Sequence, residues 1–158
     1  NQSLNYTDFW ISSRNLPDGY TIDLDILGSE KNVGYTLAYV NHSSIKTYDE
    51  SGHDVTNRFV IVSHIGILNV VKREITITTL SAEKYDDELP LSYPYYHISR
   101  GSLVIGDELF SDMFSQITEV GVIDNEIHHI IIKNSENEDV TDNYKITIVL
   151  GKLTILEQ

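Results

Sequence analysis

The sequence predicts an all-β protein built from two tandem β-sandwich modules, and three observations lead to this. Apolar and polar residues alternate with a period of two in several segments, such as 74–80, where isoleucines face one side and threonines the other. Clusters of Asp, Asn, Gly and Pro separate the segments, as turns separate short strands. Finally, Asp54-Val55-Thr56 recurs as Asp139-Val140-Thr141. We therefore place the modules at 1–71 and 72–158.

The repeat keeps a constant spacing through its second half. The two Asp-Val-Thr motifs are 85 residues apart (139 − 54), and so are Gly66 and Gly151. Upstream the spacing is 87, for example between Gly19 and Gly106. We therefore expect the first copy to carry two extra residues in the loop just before its Asp-Val-Thr. A period of this length indicates complete small domains in an array, since solenoid units are shorter.

The first copy is predicted to lack its opening strand. The second copy opens with the strand 74–80, whereas the first begins near Asn1, which aligns with Glu88. A sandwich without an outer strand exposes unpaired backbone and apolar side chains. We therefore expect a neighbouring molecule to supply the strand, or the strand to lie in sequence outside this chain, which has the character of a piece of a longer protein.

The remaining elements follow the same pattern. Segments 126–133 and 144–149 are strand-like, and Gly151 is expected to form a hairpin turn before a last strand, 152–156. Segment 109–117 has apolar residues at helical spacing, but its counterpart in the first copy alternates, so we interpret it as an irregular strand with room for one helical turn. No flexible spacer separates the copies at 70–74, which favours a semi-rigid junction.

Composition limits the partners. Eleven Lys and Arg against 24 Asp and Glu give a net charge of −13, which disfavours nucleic acid and anionic lipid as partners. Cysteine is absent, so disulfides and thiolate zinc sites are excluded. No apolar run reaches the length of a membrane span, so we expect no membrane insertion by this segment.

The repeated motif residues are interpreted as determinants of the fold. An Asp two positions before a Thr can accept hydrogen bonds from the backbone and fix a turn. An aromatic residue after the motif is expected to fill the core beside the last hairpin. The structural motif comprises Asp54, Thr56, Phe59 and Gly66 in the first copy and Asp139, Thr141, Tyr144 and Gly151 in the second.

The sequence contains few patterns typical of catalytic, metal-binding or crosslinking sites. Adjacent His128 and His129 would point to opposite faces of a strand, and no hydrolase or phosphate-loop motif occurs, so we expect no enzyme activity, no cofactor and no metal site. Loop carboxylates leave calcium open as an alternative, testable by the effect of millimolar calcium on the melting temperature. A Lys to Asn crosslink, from Lys84 or Lys72 to Asn143, is a further alternative.

One aromatic segment is a candidate ligand surface. Tyr93, Tyr95 and Tyr96 concentrate rings that can stack on sugars or form protein hot spots. The competing interpretation is that alternate rings fill the core, while Pro94 shapes the entry into the strand.

The second copy resembles a known family of repeats. It contains, in order, Ser81-Ala82-Glu83-Lys84-Tyr85-Asp86-Asp87, Pro90-Leu91, Gly106-Asp107, Thr118-Glu119-Val120-Gly121, Asn125, the run from Asp139 to Ile146, and Gly151-Lys152-Leu153-Thr154-Ile155. This string is similar to the Ig-like tandem repeats of the MBG/YDG type, found mainly in wall-anchored surface proteins of Gram-positive bacteria. The first copy departs from the pattern: Arg58-Phe59 replaces Asn-Tyr, and the Lys-Tyr-Asp opening is absent.

The resemblance implies an extracellular, cell-wall-attached protein whose Ig-like repeats serve as a spacer or in adhesion, without catalytic residues. The expected function is a stalk that projects a distal region from the cell wall, with neighbouring repeats of the same chain as partners. The alternative is an adhesin module that binds a host glycan or matrix protein through an aromatic or edge-strand surface. An accessory module of a secreted carbohydrate-active enzyme is a third possibility.

Overall fold

The protein is all-β. The computed structural model describes residues 3–5, 7–11 and 16–158, and these contain strands and three single-turn 3-10 helices, at His42–Ser44, Thr56–Arg58 and Thr141–Asn143. The chain divides into two compact units between Val70 and Val71. We call these the first and second unit. The expected start of the first copy, at Asn1, lies outside the described residues.

The first unit contains short antiparallel strand pairs. Strand β1 pairs with β4, β2 with β6, and β5 with both β3 and β7. The best-buried apolar side chains are those of Ala38, Ile45, Val55 and Leu68. The strands are β1 (Leu4–Asn5), β2 (Thr21–Asp23), β3 (Ile26–Leu27), β4 (Ser29–Glu30), β5 (Gly34–Val40), β6 (Lys46–Tyr48) and β7 (Gly66–Val70).

The second unit contains longer strands and two three-stranded sheets. The strands are β8 (Arg73–Thr79), β9 (Ala82–Tyr85), β10 (Leu91–Ser92), β11 (Tyr96–Arg100), β12 (Glu108–Phe110), β13 (Met113–Phe114), β14 (Gln116–Ile117), β15 (Gly121–Asn125), β16 (Ile127–His128), β17 (Ile131–Lys133), β18 (Tyr144–Val149) and β19 (Gly151–Leu156). One sheet has the order β11-β8-β18 and the other the order β15-β19-β9, while β10 pairs with β14, β12 with β17, and β13 with β16.

Two long segments of the second unit pass from one sheet to the other side by side. Strand β18 lies parallel to β8, and β19 lies parallel to β9, so segments 73–85 and 144–156 change sheets together. The expected hairpin turn at Gly151 is therefore wrong: β18 and β19 do not pair with each other, and Gly151 begins a strand that continues in the other sheet. A glycine after an alternating strand fits both a turn and a crossing, so the sequence pattern alone did not distinguish them.

The core of the second unit is apolar and β-branched. Ile75 and Ile77 on β8 are 1% and 0% exposed, and they belong to a buried cluster with Ile127, Ile132, Val140 and Tyr144. The alternation of isoleucine and threonine on β8 therefore directs the isoleucines inward, as expected for a strand with one buried face. This arrangement is sandwich-like.

Strand register repeats between the units. Leu4 pairs with Glu30 as Leu91 pairs with Ile117, and Gly34 pairs with Val70 as Gly121 pairs with Ile155. The spacing of 87 or 85 residues in the sequence therefore recurs in the hydrogen-bonded ladders. The first and second units contain the same short pairs in the same order.

The extra residues of the first copy do not lie in the loop just before Asp-Val-Thr. The loop 49–53 closes with a bond from Asp49 N–H to the His53 carbonyl at 3.0 Å, and the loop 134–138 closes in the same way at 3.0 Å. The difference lies earlier: residues 41–45, which include the 3-10 helix His42–Ser44, connect β5 to β6 in the first unit, whereas residues 129–130 alone connect β16 to β17 in the second. Matching Ile45-Lys46 with Ile132-Lys133 by residue type placed the difference too late in the chain, because the ladders pair Asp23 with Lys46 and Phe110 with Ile131.

Two strand predictions changed in detail. Segment 109–117 contains three short strands and no helical turn, because its residues pair with β16, β17 and β10. Segment 126–133 is interrupted at His129, whose φ of 49° is left-handed and ends the extended run. His128 and His129 therefore do not alternate across one continuous strand.

Candidate functional site

The Asp-Val-Thr motifs form the same hydrogen-bonded turn in both units. Asp139 Oδ1 accepts from the Thr141 backbone N–H at 2.9 Å and from its hydroxyl at 2.6 Å, and Thr141 Oγ1 accepts from Ile132 N–H at 2.8 Å. In the first unit, Asp54 and Thr56 repeat this geometry at 3.0, 2.6 and 2.8 Å, with Thr47 N–H as the last donor. Each motif thus links a turn to the neighbouring strand.

The two aspartates are held in their charged form. The hydroxyl and backbone bonds from Thr141 lower the pKa of Asp139. Lys46, which lies 2.8 Å from Asp54, together with Thr56, lowers the pKa of Asp54. A carboxylate that accepts several hydrogen bonds is stabilised as the anion. This chemistry fixes the turn, and both carboxylate oxygens of Asp54 and Oδ1 of Asp139 accept from the protein's own donors.

The aromatic residue after the motif differs between the units in its partners. Tyr144 is buried, and its hydroxyl donates to Asp107 at 2.6 Å while accepting from Val104 N–H at 2.9 Å. Burial raises the pKa of Tyr144 to about 12, and the bond to Asp107 adds to the effect. In the first unit Phe59 has no hydroxyl, and Tyr20 makes an edge contact with its ring at 6.2 Å.

Gly151 lies where two backbones cross. A side-chain Cβ at this position would come within 2.6 Å of the carbonyl carbon and oxygen of Leu80. The crossing between β8–β9 and β18–β19 therefore requires glycine here. Gly66 occupies the matching position of the first unit, but a Cβ there would meet only Ala38 among the described residues, whose Cβ is 3.7 Å and whose carbonyl oxygen is 3.8 Å away.

Asn125 and Thr79 form a polar clamp at the same crossing, which sequence reasoning missed. The buried Asn125 amide donates to the carbonyls of Leu80 and Tyr93, each at 2.8 Å. The Thr79 hydroxyl donates to the Asn125 carbonyl at 2.7 Å and accepts from Gly151 N–H at 2.9 Å. The signal available in the sequence was the asparagine at the end of strand β15, which also belongs to the motif string of the second copy, and Ala38 takes this place in the first unit.

The three tyrosines of the candidate ligand surface have different environments. Tyr95 is 58% exposed, and its ring lies 4.7 Å from that of the half-buried Tyr93. Tyr96 turns inward, stacks on Phe114 at 6.1 Å and donates to the Leu109 carbonyl at 3.3 Å. Only Tyr93 and Tyr95 can therefore meet a ligand without disturbing the core.

The titratable side chains considered for chemistry are dispersed. His128 contacts Glu126 at 3.2 Å, whereas His129 contacts Asp112 at 2.9 Å. Over the described ranges, no group of three or more His, Asp or Glu side chains is arranged to hold a metal ion. The Lys84 ammonium donates to the Asp87 carboxylate and to the Leu89 carbonyl.

Comparisons with known proteins give no relatives: no family model, no curated protein and no solved structure matches the chain. In the part of the chain that the structure describes, no helix has the length and apolar character needed to cross a membrane.

Proposed function

We propose that the chain comprises two tandem Ig-like β-sandwich modules of a bacterial cell-surface protein, which act as a non-catalytic spacer projecting a distal region from the cell wall. The repetition of strand register in both units is the observation that carries the proposal. Tandem copies of one fold suit a role in which length is built by addition. The resemblance to wall-anchored Ig-like repeats supplies the cellular location.

Small-angle scattering on the chain tests the spacer role. A single compact domain of this length has a radius of gyration of about 15 Å. A spacer whose two modules follow one another end to end is expected to exceed about 20 Å, because the mass is distributed along one direction. A value near 15 Å at several protein concentrations would contradict the proposal.

The second candidate, an adhesin module that binds a glycan, is favoured by one observation. The exposed ring of Tyr95 stands beside that of Tyr93, and paired aromatic faces are suited to stacking on sugar rings. Saturable binding on a glycan array that is lost in Tyr95→Ala and kept in Tyr85→Ala would support this function. Tyr85 is the matched control because it is also exposed and lies on β9. Equal binding by both variants, or none by the unaltered chain, would argue against it.

A further inference from the structure

One face of the β3-β5-β7 sheet in the first unit is apolar and exposed. Ala38 and Leu68 point to the core and are 7% and 4% exposed, so the alternate positions of β5 and β7 point outward. The outward side chains meet across the strands, as Leu37 does with Ile67. Five of them are 41% to 74% exposed, and we call this set the apolar face: Leu27, Tyr35, Leu37, Tyr39 and Ile67.

The same face of the second unit is exposed but polar. At the register of Leu37, Asp124 pairs with Lys152, and the two side chains form an ion pair at 2.6 Å. The side chains of Asp124 and Lys152 are 44% and 58% exposed, although β8 and β9 are present in this unit. Strands β8 and β9 therefore do not cover this face, and the fold does not require apolar residues on it.

The apolar face is large enough to form a protein interface. Its exposed side chains present about 500 Å² of surface, which is the size of the largest apolar patches on monomeric proteins. Two such faces packed together would remove about 1,000 Å² from water, which is near the lower limit of a specific interface. Tyrosine, which contributes two of the five side chains, is enriched among the residues that dominate binding energy at interfaces.

Charge favours a second copy of this chain as the occupant. The net charge is −13, so the surfaces of two copies repel one another over most approaches. Among the described outward positions of β3, β5 and β7, none is acidic or basic, since the position beside the apolar face is Asn69. Two copies can therefore approach through this face without bringing like charges together.

A glycan fits the apolar face less well. Sugar rings stack on aromatic faces, but their hydroxyl groups also need polar partners nearby. Tyr35 and Tyr39 are separated by Leu37 on β5. Ile67 and Leu27 lie beside them on the neighbouring strands. A face with an aliphatic centre of this kind is better suited to another apolar protein surface.

We propose that two copies of this chain associate through the apolar faces of their first units, with the two β3-β5-β7 sheets packed face to face about a two-fold axis. Sheets packed in this way lie about 10 Å apart, and their side chains interdigitate. The contact is isologous, since both copies use the same face. The proposal is independent of the spacer role, because its test measures the mass of the particle and the spacer test measures the dimensions of the single chain.

Sedimentation equilibrium of the full chain tests the association. The dissociation constant is expected in the micromolar range, because the buried area lies near the lower limit of specific interfaces. The apparent mass should therefore rise from that of one chain to that of two as the concentration increases from about 1 μM to about 1 mM. A mass that stays at one chain over this range would overturn the proposal. Glycan binding by such a monomeric chain, lost in Tyr35→Ala, would identify the face as a sugar site instead.

The double variant Leu37→Asp, Ile67→Lys transfers the ion pair of the second unit to the apolar face. It is expected to fold, because Asp124 and Lys152 occupy this register in the second unit, and its net charge stays at −13. The dissociation constant should rise at least tenfold, since charged groups must be desolvated in the interface. Tyr85→Ser, which removes an exposed ring from β9, is the control and should leave the dissociation constant unchanged. An unchanged dissociation constant in the double variant would contradict the proposal.

Single cysteine variants locate the contact, because the chain contains no cysteine of its own. Leu37→Cys lies centrally in the apolar face, so association brings the two thiols together, and oxidised glutathione should link them by a disulfide while it is reduced. Val122→Cys is the control, since Val122 is an exposed outward residue of β15 in the second unit. We expect linked dimers to form at least tenfold faster in Leu37→Cys, and equal rates in the two variants would refute the assigned face.

Discussion

At the scale of single residues, one repeated position is occupied by Tyr144 in the second unit and Phe59 in the first. The difference matters because the Tyr144 hydroxyl satisfies the backbone N–H of Val104 and donates to Asp107. Phe59 has an aromatic neighbour instead. An aromatic ring therefore occupies the equivalent position in both units, but only Tyr144 also forms side-chain hydrogen bonds.

Tyr144→Phe is expected to destabilise the second unit by about 1–2 kcal/mol near pH 7, because the Val104 N–H loses its acceptor. The folded pKa of Tyr144, about 12, exceeds the unfolded value of about 10. Its contribution is therefore complete below pH 10 and is lost as pH rises towards 12. Urea titrations at pH 8 and 11 should show a smaller difference between the variant and the unaltered chain at pH 11. Tyr85→Phe, at an exposed position, is the control.

Thr47 presents the opposite situation, a buried hydroxyl that finds no partner among the described residues. Its counterpart by hydrogen bonding is Ile132, since both donate their backbone N–H to the motif Thr. Thr47→Val should stabilise the first unit by about 1 kcal/mol, because an unsatisfied buried hydroxyl is replaced by a methyl group. Chemical denaturation followed by the fluorescence of Trp10, the single tryptophan, measures this.

Thr79→Val is the matched control for Thr47→Val. Thr79 is equally buried, but its hydroxyl bonds both Asn125 and Gly151. The same substitution should here destabilise by about 1–3 kcal/mol, since two backbone groups lose their partner. Destabilisation by Thr47→Val would show that the Thr47 hydroxyl is satisfied in solution.

At the scale of strands, the crossing of β8–β9 over β18–β19 organises the second unit. Gly151 leaves room for the backbone of Leu80, and the clamp of Thr79 and Asn125 hydrogen-bonds backbone groups where the strands change sheets. The buried Asn125 Oδ1 has no partner among the described residues. The first unit has Gly66 and Ala38 at these places, and among its described residues no strand crosses Gly66. The Thr79 and Asn125 clamp therefore occurs in the unit in which β8–β9 crosses β18–β19.

Comparing Gly151→Ala with Gly66→Ala tests whether glycine is needed only where another strand crosses close to its backbone. Gly151→Ala is expected to cost at least about 2 kcal/mol, because a methyl group 2.6 Å from backbone atoms forces the strands apart. Gly66→Ala is expected to change stability by less than about 1 kcal/mol. Thermal melts by circular dichroism compare the two, and equal losses would mean that both positions need glycine in the free chain.

At the scale of the whole molecule, the two units differ in how many of their described apolar side chains are buried. Burial of Ile75 and Ile77 stabilises the second unit by about 1.5–3 kcal/mol each. The first unit has no equivalent among its described residues. The chain is therefore expected to contain one robust and one weaker folding unit.

Separate expression of residues 71–158 and 1–70 tests this expectation. The 71–158 fragment should unfold cooperatively, with the same midpoint as the corresponding transition of the intact chain. The 1–70 fragment should melt at a lower temperature, because fewer of its described apolar side chains are buried. Circular dichroism and one-dimensional proton NMR of the fragments measure both. A fragment 71–158 that is unfolded by itself would contradict the division at residue 70.

Much of the fold could be predicted from the sequence because it depends on local patterns. The alternation of isoleucine and threonine on β8 predicted the all-β class and the inward direction of the isoleucines, since side chains along a strand alternate with a period of two. The Asp-Val-Thr turns could be anticipated because their hydrogen bonds join residues two positions apart. The internal repeat anticipated the matching strand pairs of the two units, because residues aligned between the copies occupy the same ladders.

The tertiary structure alone decided which strands meet. Gly151 begins a crossing strand rather than a hairpin turn, because its partner Leu80 is distant in sequence and leaves no local signal. The same holds for Asn125, which binds carbonyls about 32 and 45 residues away. Sequence by itself therefore determined the elements, which short-range geometry controls, whereas contacts between distant segments determined which strands pair.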